Sequence, residues 1–209
     1  MIVLALSGLA FATYSARFGM RGLSLDLSQV TYIYTPGSAF ANLAVFSHMV
    51  LGALIMVLAP LQLIGRLRSR YPLAHRMAGR VVVFGSIITA VGGLTYIALR
   101  GTVAGPGMDA GFALYGGLML VAALQVVRLA RAGEVDGHRR WALRLFVLVM
   151  GSLIYRLHYT LWFILTDGLW STENLDGPFD QVQYFAFYLP YLAILELRLR
   201  RQTRTDTAG

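Results

Sequence analysis

Five stretches of this chain run for about 20 residues with very little charge, and that one property constrains the fold more than any other. The hydrocarbon of a bilayer is about 30 Å thick and a helix rises about 1.5 Å per residue, so an apolar run of this length reads as a membrane crossing. The five predicted crossings cover residues 39–64, 81–99, 110–130, 141–165 and 181–199. A sixth run, 2–16, is shorter. It lacks the basic start that a signal peptide requires, so it reads as a first helix. The expected fold is all-α: a polytopic transmembrane helical bundle of about six spans, forming one integral membrane domain over residues 1–209. Composition agrees, with 57% hydrophobic and only 13% charged residues, where soluble domains carry about 25% charged.

Charge placement sets the expected orientation. The 18 basic residues are all arginine, and most lie in short segments between apolar runs. That pattern points to topology and anionic lipid headgroups, not to nucleic acid. Segment 64–81 carries Arg66, Arg68, Arg70, Arg76 and Arg80; segment 127–144 carries Arg128, Arg131, Arg139, Arg140 and Arg144; the tail carries Arg198, Arg200, Arg201 and Arg204. With alternating helices these three share one side, and the positive-inside rule makes it cytoplasmic, with both termini on that side. The opposite loops carry acids, among them Asp167, Glu173, Asp176 and Asp180; Arg17 and Arg21 are the exception.

Several chemistries are excluded or disfavoured. There is no cysteine, hence no disulfide, thiolate ligand or cysteine nucleophile. No Walker loop, dinucleotide fingerprint, HExxH or GxSxG occurs, which argues against nucleotide-driven work and triad hydrolysis.

The polar residues inside the apolar runs therefore carry the functional signal. His48 lies nine residues into its run, about 13 Å deep, and His158 lies seven before the end of its own, about 11 Å from the same face. The two can meet at one level. Facing imidazoles on different helices are what a b-type haem needs as axial ligands, and Gly52 and Gly151 offer small residues on those faces. A different functional cavity, or plain hydrogen bonding between helices, explains the same pair. His75 and His138 sit at the arginine-rich rim and form a second candidate pair, each followed by arginine within a turn. Phosphate, carboxylate or a cofactor propionate would suit those arginines, as would simple anchoring.

Arg156 is the sharpest anomaly, since it lies about 14 Å inside its span. A guanidinium there requires a negative or polar partner. It points away from His158, two residues on, which leaves Asp167, Asp180 or an acidic ligand. Gln62, Gln125 and Gln183 are lesser signals. Tyr184, Tyr188 and Tyr191 share one helix face, expected to pack with their hydroxyls bonded.

The string from Gln62 through Arg70-Tyr71-Pro72-Leu73-Ala74-His75-Arg76-Met77-Ala78-Gly79-Arg80, with His138-Arg139-Arg140-Trp141 and Arg144, resembles a bacterial family of predicted membrane proteins, domain of unknown function 2306. That resemblance spans about His48 to Arg156 and implies a multi-pass protein of the bacterial inner membrane. The four-histidine layout is also similar to di-haem transmembrane b-type cytochromes, which implies haem b at His48 and His158 and at His75 and His138. In those cytochromes the ligands lie on four helices, whereas His138 and His158 here share one helix. Three functions stay open: a haem protein moving electrons to or from a carrier such as quinone; a binding or transport protein for a small anion, lipid or quinone with Arg156 at its site; and an accessory subunit of a larger membrane complex.

Overall fold

The computed structural model describes the backbone of residues 2–206 and the side chains of 6–202; Arg204 of the basic tail lies outside the described side chains. The elements in chain order are α1 (Ile2–Ser24), α2 (Ala39–Gln62), α3 (Gly65–Arg70), α4 (Pro72–Arg100), α5 (Pro106–Arg131), α6 (Val135–Thr166), α7 (Pro178–Ala186) and α8 (Leu189–Asp206). No strand occurs among the described residues. By length and composition α2, α4, α5 and α6 can each cross a membrane. Their 24, 29, 26 and 32 residues extend about 36 to 48 Å, so each outruns the hydrocarbon and projects into the headgroup layer.

Short connections dictate the arrangement. Residues 101–105 join α4 to α5, and 132–134 join α5 to α6, which leaves room only for antiparallel neighbours. Gly101 and Gly133 sit at positive φ (72° and 74°), the conformation that turns a chain off a helix end without a Cβ clash. Helices α2, α4, α5 and α6 thus form a four-helix bundle whose core includes Ile55, Val83, Ala90, Ala123 and Leu148. Close approach depends on missing side chains: a methyl at Gly92 would lie 2.7 Å from the Ala44 carbonyl oxygen. Packing around the ring is uneven. α2 lies tightly on α4, α4 on α5 and α5 on α6, while α2 and α6 touch far less. α1 covers α2, α7 leans on α5, and α8 rests on α6. Phe84, Ile88, Leu124, Leu161 and Ile164 point outward and are exposed, the surface a lipid solvent requires.

Several helix ends extend beyond the expected runs, α5 and α6 among them, and three differences have a local reason. The first helix continues past residue 16 to Ser24, because Arg17 and Arg21 do not interrupt a helix. α4 begins at Pro72, with proline in the first turn, so His75 and Arg76 are helical and not part of a rim loop. The run 181–199 is broken between Ala186 and Leu189, just ahead of Pro190, which lacks the N–H that a continuing helix would use.

The bundle has two chemically distinct ends. One gathers α3, the starts of α4 and α6 and the end of α5, all rich in arginine. There Arg144 holds Glu196 of α8 through two hydrogen bonds of 2.5 and 2.9 Å and stacks on Trp141. The other end carries Asp26, Asp109, Asp167 and Asp180.

Candidate functional site

Arg156 sits on α6 and reaches Phe11 of α1. Its guanidinium lies over the Phe11 ring at 4.0 Å and donates to the Ser152 carbonyl and hydroxyl, 3.0 Å each. Tyr14, Tyr115 and Tyr155 surround it closely enough to feel its charge, as does His48. No carboxylate comes within ion-pair distance; among the described residues the one such pair joins Arg144 and Glu196. Asp180, one of the two partners expected from sequence, is fully buried and spent elsewhere, and Asp167 forms the left-handed C-cap of α6. Arg156 is instead satisfied locally while its side chain stays exposed at the open seam. A shallow, open groove runs along the exposed face of α1, lined by Ala10, Thr13, Tyr14, Arg17, Phe18 and Arg21; Arg156 itself does not line it, and Tyr14 is the lining residue that feels its charge. The two arginines that break the expected charge asymmetry line this groove.

The two deep histidines face different neighbours. His48 on α2 lies against Gly93 of α4, and its Nδ1–H donates to the Thr89 carbonyl at 2.7 Å. A carbonyl only accepts, so Nδ1 carries the proton and Nε2 keeps its lone pair. His158 on α6 turns to α7 and α8: Nδ1 meets Gln183 Oε1 at 3.0 Å, and Nε2 accepts from the Tyr191 hydroxyl at 2.7 Å. The fit to one haem iron is thus unequal. His48 offers a free nitrogen, whereas His158 must first release Tyr191 or Gln183. Gly151 leaves no slot for a flat ring, because the Tyr115 ring fills it (2.9 Å from a built Cβ), while Gly52 remains open, with Thr89 at 3.8 Å.

Beside His158 lies a polar pin with no forecast from sequence. Asp180, with no exposed surface, accepts from the Tyr159 hydroxyl (2.6 Å), the Ser171 hydroxyl (2.8 Å) and the backbone N–H groups of Thr172 and Gly177 (3.0 Å each). It ties the loop after α6 to α7 and so holds Gln183 against His158. Tyr184 and Tyr188 pack inward with bonded hydroxyls, donating to the carbonyls of Leu175 and Gly111. The signal available in sequence was a lone acid just inside a proline-started helix, which is the position of an N-terminal cap.

At the arginine-rich end His75 and His138 stand in the first turns of α4 and α6, close enough to interact electrostatically, with Arg68 also near His75. His138 Nδ1–H donates to the Val126 carbonyl at 3.1 Å. This second pair shares one end of the bundle, on neighbouring helix starts. Along α6 it lies 18 residues from Arg156, about 27 Å, so the rim pair is remote from Arg156, while Arg156, His48 and His158 each face a different helix.

The family described as predicted membrane protein, DUF2306, matches residues 45–175, well over half of the chain. No curated relative and no solved structure matches it. The matched span contains Arg156 and all four histidines.

Proposed function

This chain belongs to the DUF2306 family of predicted membrane proteins, and from that premise we propose that it is a multi-pass binding protein for an acidic or carbonyl-bearing amphiphile, a lipid or a quinone, held at Arg156. The observation that carries this reading is a guanidinium within the span that meets no carboxylate, set where α6 packs loosely against the α1–α2 pair. An arginine at that depth costs about 2.5–3.5 kcal/mol on insertion scales, which an anionic or carbonyl oxygen offsets. The groove along α1 supplies the rest: aromatic faces at Tyr14 and Phe18 for the tail, and Arg17 and Arg21 for further negative charge. The membrane is the bacterial inner membrane, with the arginine-rich end toward the cytoplasm. Extraction of the purified protein followed by mass spectrometry of bound lipid and quinone tests the reading. Wild type should retain an acidic lipid or quinone that Arg156→Leu loses and Arg156→Lys retains in part. Equal retention in all three removes Arg156 from a binding role.

A second reading is haem b with His48 and His158 as axial ligands, favoured by the Nδ1–H of His48, which is donated to a main-chain carbonyl as metal-bound imidazoles commonly do. Bound haem would supply one-electron transfer. The chain's own part would be to orient His48 through Thr89 and to yield the Tyr191 bond at His158. A reduced α-band in the purified protein, lost in His48→Ala, supports it; a colourless protein from haem-replete cells ends it.

A further inference from the structure

We propose that the arginine-rich end of the bundle holds a phosphate group, from an anionic phospholipid headgroup or free in solution, among Gln62, His75, Gln125 and His138. Each of the four core helices contributes one of these residues: α2 its last, α4 and α6 their first turns, and α5 a position six residues before its end. Gly79, one turn after His75, approaches Gln62: a Cβ there would lie 3.1 Å from Gln62 Oε1. His138 bonds the carbonyl next to Gln125, and His75 and His138 sense each other's charge. The four side chains therefore converge at one level.

The telling feature is what they lack. Gln62 Nε2, His75 Nδ1 and Gln125 Oε1 are each buried without a hydrogen-bond partner, three of the five such atoms among the described residues. A buried polar atom left unsatisfied is strongly unfavourable, and three at one level point to a guest with several oxygens. Charge selects the guest. The arginines of α3, of the starts of α4 and α6 and of the end of α5 outnumber the acids of this end, Glu134, Asp136 and the Glu196 that Arg144 holds. Arg68 lies near His75, which disfavours a divalent cation on the imidazoles. The amide of Gln125 presents N–H in place of oxygen on a half-turn, so both glutamines and His75 can donate to phosphate oxygens. Protonation would turn Nε2 of His138 into a fourth donor. This site is distinct from Arg156 and does not rest on that reading.

The test uses the full chain, stripped of lipid in a neutral detergent, with two probes: inorganic phosphate, and nanodiscs of phosphatidylglycerol compared with phosphatidylcholine. Thermal stabilisation by phosphate, or selective retention of phosphatidylglycerol in native mass spectrometry, should saturate. Binding should weaken at least tenfold in the Gln62→Leu/Gln125→Leu double variant yet persist in an Arg76→Gln/Arg139→Gln control. Phosphate that displaces the lipid assigns the site to the headgroup; phosphate binding with no lipid preference assigns it to the free anion. Should the double variant fail to fold, Gln62→Glu places a carboxylate among the donors and must abolish binding. The proposal fails if neither probe saturates, or if the arginine control loses binding and the glutamine variants keep it, since that is diffuse attraction.

Discussion

Replacing Arg156 by leucine should leave the fold nearly as stable as wild type, while the conservative change to lysine should weaken it. Arg156→Leu forfeits the cation–π contact with Phe11, about 1 kcal/mol, and two bonds to Ser152 worth about 1.5–3 kcal/mol together. It also removes a charge whose placement in hydrocarbon costs about 2.5–3.5 kcal/mol, so the sum lies within about 1.5 kcal/mol of zero. Arg156→Lys keeps that cost, yet an ammonium cannot reproduce the planar fork that meets both Ser152 oxygens and stacks on Phe11. Lysine should therefore fall about 1 kcal/mol below leucine, a difference of roughly 2–4 °C in melting temperature for a chain of this size. The assay is thermal unfolding of delipidated protein in detergent, because a bound ligand would stabilise the wild type by mass action and blur the comparison. A leucine variant far less stable than the lysine variant would refute the reasoning, since it would reveal an anionic protein partner to the guanidinium.

Asp180→Ala should destabilise the protein by about 3–6 kcal/mol, because four donors lose one buried acceptor, whereas Asp180→Asn keeps the shape and should cost about 1–2 kcal/mol; melting curves and amide exchange at Thr172 and Gly177 check both. Glu196→Gln should loosen α8 at a cost of about 1 kcal/mol, seen as faster proteolysis of the C-terminal helix with the bundle intact, since its two bonds to Arg144 are partly exposed. A reporter fused after Gly209, which lies outside the described residues, should be active in the cytoplasm; activity on the far side would overturn the orientation drawn from the arginines.

How much was legible in sequence follows from the range of each force. The spans α2, α4, α5 and α6 were readable because crossing a bilayer is a length requirement on consecutive residues. The break before Pro190 is equally local, but the unbroken apolar run 181–199 masked it. The depth of Arg156 was readable, and its surroundings were not: Phe11 lies 145 positions earlier, on a helix whose position depends on packing. His158 meets Gln183 and Tyr191 across separations of 25 and 33 residues, which no periodicity encodes. Gly151 looked vacant because an absent side chain is visible in sequence and the incoming Tyr115 ring is not.

The lodging of Arg156 against α1 also bears on how the chain is made. With Arg144, Arg156 and His158 along its length, α6 is the least apolar of the four long spans, and it leaves the ribosome after the helix that supplies Phe11. Its integration is therefore expected to depend on the first helix, whose Phe11 receives a cation that lipid alone disfavours. A nascent chain lacking α1 should deliver α6 to the membrane poorly, although the hydrophobic segment itself is unchanged.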